Sequence, residues 1–399
     1  MSKKAIFLTG MAILTLLLFG FLSNQATKPE ITPLSKKWEK TIPFQEIPKG
    51  ISGLDAAHCG ICHPKHYEEW KISTHAHAWR DKQFQAEIKK ETSPFMCINC
   101  HIPLQNQQAE IVIGLEEGDI YRPVRKKNPK FDRELQQEGI TCAVCHIRNN
   151  AIISTSKSGK APHQTLVRPN LLSEELCIHC HNAVATITPQ LVCSFETGTE
   201  WKRGPYSGKK NCINCHFKKT VRENATGFGV KTSHLHSLPG SGIPKELGYQ
   251  PDMLNGLSIQ PEGIKDRYKK GDSLNVRLKV TNEFAGHKVP TGDPERFFLF
   301  HFLIRNEKDD TIAIKTERIG EKWQWYPVAK KLEDNNLSPE EERIFTFSPL
   351  LDKRGRYTLS ILVTKHRMTA EAANFNHLDE NYPKFIPIFE ENFEFEVQN

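Results

Sequence analysis

The chain has 399 residues, room for two or three domains, with 54 basic and 47 acidic residues giving a formal charge of +7. Only 38% of the residues are apolar, below the usual globular share. Residues 1–250 are especially poor in periodic apolar runs, which argues against a conventional side-chain core there.

Lys3 and Lys4 precede an uncharged run from Ala5 to Leu22 that is long enough to span a bilayer. Residues 1–25 are therefore expected to be a cleaved signal peptide or a retained membrane anchor. In either case the lysines stay inside and the rest is exported. Residues 26–58, rich in proline and lysine without a helical period, read as a tether.

Five identical frames follow: Cys59-Gly60-Ile61-Cys62-His63, Cys97-Ile98-Asn99-Cys100-His101, Cys142-Ala143-Val144-Cys145-His146, Cys177-Ile178-His179-Cys180-His181 and Cys212-Ile213-Asn214-Cys215-His216. C-x-x-C-H is the attachment frame of haem c. Two thiols add across the two vinyl groups of one porphyrin, and the adjoining histidine supplies the proximal nitrogen to iron. Chance gives on the order of 0.01 such frames in a chain of this composition. Zinc ribbons pair two C-x-x-C knuckles and do not demand a histidine after each. A thioredoxin-type pair occurs once, and a disulfide framework does not repeat one spacing five times. Five covalently bound haem c groups are expected, with His63, His101, His146, His181 and His216 as proximal ligands. The prolines among the frames limit the helices carrying them to short ones. Five ferric bis-histidine haems, each contributing about −1, would take the +7 to about +2. The basic excess is thus no sign of a nucleic-acid partner.

Pro239 to Gly256, rich in glycine and proline, reads as a linker between a pentahaem domain, residues 59–238, and a different texture in residues 257–399. There Leu274, Val276, Leu278 and Val280 alternate with polar residues as one face of a strand does. Further strands are expected at Arg296–Ile304, Thr311–Glu317, Arg343–Phe347, Tyr357–Thr364 and Phe393–Val397. Six or seven short strands suggest an antiparallel, immunoglobulin-like β-sandwich. The architecture expected is a mainly helical and irregular multihaem domain followed by that sandwich.

What sits opposite each proximal histidine decides function. A second strong ligand suits electron transfer, whereas an open position admits a substrate. Beyond the leader the only methionines are Met96, Met253 and Met368, while twelve histidines lie outside the proximal set. His163, in a polar loop between the third and fourth frames, is a candidate to reach in. His179 and His301 read as structural, and the odd Cys193 as a buried thiol.

The run from Cys59 through His63, Pro64, Tyr67 and Trp70 to Ser73, His75, Ala76 and Trp79 resembles the opening of the cytochrome c-554-type multihaem family. Glu200-Trp201 through Pro205-Tyr206 into Cys212 is a second echo, and His236-Ser237-Leu238-Pro239-Gly240 a third. The resemblance covers roughly residues 50–240. It departs in having five frames where tetrahaem members have four, and Phe217 where methionine often follows the last histidine. It implies His75 and His236 as distal ligands. His77, two residues beyond His75, points elsewhere on a helix and is a candidate for a different haem. Asn282 to Gly292, with Ala285-Gly286-His287 and Pro290-Thr291-Gly292, resembles a loop of β-domains attached to multihaem cytochromes. Glycines on both sides free the backbone to present His287, the candidate to cap a haem and dock the two domains.

The leading functional expectation is an electron carrier of the periplasm or the outer face of the cytoplasmic membrane. Its partners would be a membrane quinol oxidoreductase or other cytochromes, with the N-terminal segment as the candidate membrane tie. The alternative is an oxidoreductase of the hydroxylamine-oxidising or nitrite-, tetrathionate- or sulfite-reducing kind with one open iron. The C-x-x-C-K frame of pentahaem nitrite reductases is absent.

Overall fold

The structure, a computed structural model, describes residues 29–91, 93–156 and 161–399. The expected leader, residues 1–25, lies outside them. Among the described residues no helix is long and apolar enough to cross a membrane.

Each frame lies on a short helix: Ala56–Cys62, Phe95–His101, Cys142–His146, Glu174–His181 and Cys212–His216. Helical geometry puts residues i, i+3 and i+4 on one side, so both thiols and the histidine of a frame face the same way. Side-chain caps start two of these helices: Asp55 accepts from His58 N, and Asn211 from Asn214 N.

The segments between the frames are not simply irregular, as expected, but carry short strands. β1 (Ile31–Thr32), β2 (Glu110–Glu116) and β3 (Pro123–Lys127) form one sheet, and β4 (Ile147–Arg148), β5 (Ala151–Ser154) and β6 (Thr165–Val167) another. β7 (Ala183–Thr188) and β8 (Leu191–Phe195) form a hairpin, as do β9 (Lys219–Glu223) and β10 (Val230–His234). These strands were hidden because each is only a few residues long and lacks a sustained period of two.

The two stretches read as flexible are both packed. In the expected tether, β1 pairs with β2, the Ile42 N–H donates to the Pro103 carbonyl (2.7 Å), and the buried Glu39 carboxylate accepts from the N–H groups of Ser35 and Lys36. In the expected linker, the Leu254 N–H donates to the Gly240 carbonyl (2.9 Å), and Lys365 Nζ donates to the carbonyls of Ser241 and Leu254 (3.2 Å each). Proline and glycine withheld a regular period from both, but their backbone groups found tertiary partners instead.

Residues 257–399 hold two main sheets. One has the order β11 (Leu257–Glu262), β13 (Val276–Asn282), β18 (Glu342–Phe347). The other runs β12 (Arg267–Lys269), β20 (Phe385–Gln398), β19 (Gly355–His366), β14 (Phe297–Asn306), β15 (Thr311–Gly320). The pairing is antiparallel except for β12 beside β20, which is parallel. A small hairpin, β16 (Lys322–Gln324) and β17 (Lys330–Glu333), stands apart. Inward residues of the two main sheets share one core. Phe300 packs on Phe345 (ring centres 4.9 Å apart) and Phe302 on Phe347 (5.4 Å). Burying each phenylalanine contributes about 1.5–3 kcal/mol.

Candidate functional site

Residues 29–256 have no comparable core. Small clusters around Leu104 and Leu135, around Phe95 and Met96, and around Trp70 flank a connected cavity of about 2190 Å³. That is larger than the roughly 300–1,000 Å³ of a single small-ligand pocket. Cysteines and histidines of the first four frames line it, and the fifth frame contributes Ile213.

Four frame histidines are oriented by one device. Nδ1 donates to a backbone carbonyl: His63 to Asn224 (2.7 Å), His101 to Ala78 (2.7 Å), His146 to Ile153 (3.2 Å) and His216 to Pro239 (2.7 Å). That bond fixes the tautomer in which Nε2 carries the lone pair, the arrangement expected of a metal-ligating histidine. Burial holds His101 down to about 3, with the Lys245 charge adding to it, and His181 down to about 4, so both stay neutral.

Three of the five histidines expected as distal ligands face a frame histidine at a telling distance. His75 lies 6.2 Å from His181, His236 lies 6.2 Å from His146, and His287 lies 6.5 Å from His216, ring centre to ring centre. Two imidazoles bound through nitrogens to opposite sides of one metal, each bond about 2.0 Å, have ring centres about 6 Å apart. Nδ1 of His236 donates to the His234 carbonyl (3.0 Å) and that of His287 to the Lys288 carbonyl (2.8 Å), which leaves Nε2 available. Nδ1 of His75 is buried without a partner. Burial, first among the causes, holds His75 down to about 3 and His236 and His287 down to about 4. Ten paired thiols, neutral imidazoles with free Nε2 and an apolar cavity are the donor set and surroundings that haem c requires. The residues fit the group.

The remaining two expected ligands fare differently. His163 lines the cavity and lies close enough to His63 for their charges to interact. His77 is a correction: Nδ1 meets Glu246 (2.8 Å) and Arg80 (3.0 Å), while Nε2 donates to the Lys71 carbonyl (2.9 Å). With both nitrogens engaged it holds the 239–256 segment in place rather than facing a metal. His301 on β14 is hydrogen-bonded to Thr316 on β15 (3.1 Å), a structural role as expected. Cys193 packs among Phe95, Met96 and Ile187, and burial pushes its thiol up to about 12.

The second sequence echo acquires a physical role. Glu200 accepts from the Thr291 hydroxyl (2.6 Å), which also bonds Thr197 (2.8 Å), and the Tyr206 ring lies against Gly286. A Cβ on Gly204 would run into the Gly286 carbonyl, so glycine permits the close approach of the loop bearing His287. Sequence reasoning missed the charged cluster of Asp81, Lys245, Arg367 and Tyr382, for which no local pattern exists. It also missed the stacking of Phe84 on His101 (3.5 Å).

The frames, their oriented histidines and the cavity define a multihaem c-type cytochrome, the class that carries electrons on covalently held haem. Residues 58–147 match the family described as cytochrome c554 and c-prime. The fold is similar to that of a penta-heme cytochrome c552 from Thermochromatium tepidum, with a TM-score of 0.58 and 15% identity over 88% of this chain and 100% of that one. The CARDB domain of a Pyrococcus furiosus protein matches with a TM-score of 0.20 and 16% identity, over 36% of this chain and 87% of that one. No curated protein matches the chain.

Proposed function

We propose that the chain is an electron-transfer cytochrome holding five haem c groups, one per frame, most of them with two histidine ligands. The observation that carries this reading is the set of three histidine pairs at 6.2, 6.2 and 6.5 Å. On it, His75 serves the haem of His181, His236 that of His146, and His287 that of His216, while His163 is the ligand assigned to His63. Iron with two strong ligands changes little on reduction, which suits rapid electron exchange. Neighbouring frame cysteines support a connected array: the side chain of Cys59 adjoins that of Cys142, Cys100 that of Cys180, and Cys177 that of Cys212. The first frame thus adjoins the third, and the fourth adjoins both the second and the fifth.

On the same reading, residues 257–399 are an immunoglobulin-like module that presents His287. The protein is exported to the periplasm or the outer face of the cytoplasmic membrane, because haem is attached there. It exchanges electrons with redox proteins such as a membrane quinol oxidoreductase or other cytochromes.

One observation favours a second reading, an oxidoreductase with one open iron. Among the described ring contacts His101 meets Phe84 and no histidine. EPR of the oxidised protein separates the two: low-spin signals alone support the carrier, whereas a high-spin ferric signal supports the enzyme. Intact mass tests the haem count, and four haems or fewer in matured protein overturns it. Replacing His75, His236 or His287 by alanine is expected to turn one low-spin haem high-spin each. His77→Ala is expected to change none. If the three alanine variants keep every haem low-spin, the ligand assignments are wrong.

A further inference from the structure

The segment that carries His236 is tied down by an ion pair. Arg222 is buried on β9 (7% exposed), and Glu69 lies on the helix Pro64–Lys71 that follows the first frame. Both ends of the guanidinium fork meet the carboxylate: Nη1 donates to Oε1, and Nη2 to Oε2 (3.0 Å). A bidentate pair of this kind fixes direction as well as supplying charge.

Both partners then act on one short stretch of chain. Arg222 Nη2 also donates to the His234 carbonyl (2.6 Å), and Glu69 Oε2 accepts from the His236 backbone N–H (2.7 Å). The His234 carbonyl is the same oxygen that accepts from His236 Nδ1 (3.0 Å). One carbonyl is thus shared between a cation and the imidazole, while the anion holds the backbone of the imidazole's own residue. His234 is in turn anchored beside the fifth frame, its Nδ1 donating to the Phe217 carbonyl (2.6 Å). The His236 ring, 6.2 Å from His146, lies within reach of both charges, which act on it in opposite senses.

The shared oxygen gives the pair an electronic consequence. A ligating imidazole becomes a stronger donor to its metal when its other N–H makes a strong hydrogen bond. A carbonyl whose second lone pair is already taken by a guanidinium is a weaker acceptor for that N–H. Arg222 therefore weakens His236 as a donor to iron, and its positive charge favours the ferrous state as well. Glu69, a negative charge, favours the ferric state. Arg222 Nε is buried without a partner, so little water screens the cation.

We propose that Arg222 and Glu69 are positioning residues for His236 that set the midpoint potential of the third-frame haem, Arg222 raising it and Glu69 lowering it. The inference rests on the reading of His236 as distal ligand to the haem of His146.

The test is a redox titration of the full holoprotein followed by EPR, the third haem being the low-spin signal lost in His236→Ala. Arg222→Gln is expected to lower its potential and Glu69→Gln, which still accepts from the His236 N–H, to raise it. Each change should alter the ferrous-to-ferric ratio at fixed potential by about tenfold, the size expected of one unit charge acting through partly buried protein. Arg222→Lys keeps the charge and should stay near wild type, and the double glutamine variant should return towards it. A pair that merely fastened the helix to the hairpin would not produce shifts of opposite sign. Shifts of the same sign, or none in variants of full haem content, overturn the proposal, as does a shift in Arg222→Lys as large as in Arg222→Gln. Should Arg222→Gln not mature, Glu69→Gln decides alone: an upward shift supports the proposal and its absence overturns it. If His236→Ala keeps every haem low-spin, the ligand assignment itself has failed and the proposal falls with it; a lost signal without opposite shifts overturns the proposal alone.

Discussion

The two regions of this protein reach a folded state by different routes. In the β-region, twenty-two buried apolar residues from both main sheets meet in one core. In the cytochrome region the buried apolar residues fall into groups of six, four and three, separated by the cavity. Histidines there are held by backbone carbonyls and aimed inward. Side-chain burial is sufficient for the first region, whereas the second is organised around what its cysteines and histidines hold. A chain with 38% apolar residues can thus contain a well-packed sandwich, because alternation along its strands gathers the apolar residues of that region on the inward faces.

The largest expected effect follows from withholding haem. Chain made without haem attachment is expected to keep slow amide exchange in β13, β14 and β19 and to lose it through residues 29–256. Hydrogen exchange with residue-level readout checks this. Slow exchange in the frame helices of such protein would show that the small clusters suffice. The converse perturbation strikes the β-region: Phe300→Ala, at a fully buried position, is expected to cost about 3–5 kcal/mol. Chemical denaturation followed by tryptophan fluorescence would read the loss. If the haem spectra of Phe300→Ala shift along with it at low denaturant, the two regions unfold as one unit.

How far the residues disclosed this structure also differs between the regions. The frames were legible because covalent attachment demands a local spacing. His75, His236 and His287 were legible as candidates through the motifs around them, but which frame histidine each lies beside was not, since nothing local encodes which distant rings meet. His77 looked like His75 in sequence. Only Glu246, brought in from the 239–256 segment, and the Lys71 carbonyl remove it from candidacy. In the β-region, alternation revealed β13 and β14, whereas Pro261 masked β11, and β20 was expected only over Phe393–Val397 because Pro387 interrupts its first half. The tether and linker were misread for one reason: composition reports the chain's own flexibility and is silent on partners such as Pro103 and Lys365.

The boundary between the regions sharpens the comparison through pH. Glu295 has a folded-state value of about 8 against an ordinary 4.5, so the folded protein binds more protons than the unfolded one between those values. Stability should therefore be highest below pH 4.5 as far as this group is concerned, fall as pH rises through 4.5 to 8, and level off above. Glu295→Gln is expected to remove that slope and to gain on the order of 2–3 kcal/mol at pH 8 while changing little at pH 5. Thermal unfolding at the two pH values measures it, and an equal shift at both would mean that Glu295 is not held neutral.

The smallest effect tests whether the boundary is held by polar bonds at all. The Tyr382 hydroxyl donates to Asp81 Oδ1 (2.6 Å) and accepts from Arg367 Nη1, joining the β-region to the cytochrome region at a buried point. Burial, with Asp81 adding to it, raises the Tyr382 phenol well above its usual range, so it remains a donor at any physiological pH. Tyr382→Phe keeps the ring and removes only the hydroxyl, leaving Asp81 still paired with Lys245 and Arg367. The expected loss is about 1.5 kcal/mol, the low end for a hydrogen bond to a charged group, because those partners compensate in part. Amide exchange distinguishes where the loss falls. If the hydroxyl joins the regions, protection should drop in the helix Ala370–Phe375 and around Asp81 while the β-core is unchanged. A loss confined to the helix would make Tyr382 part of the β-region's own packing, and the junction would then rest on Lys245 and the loop that carries His287.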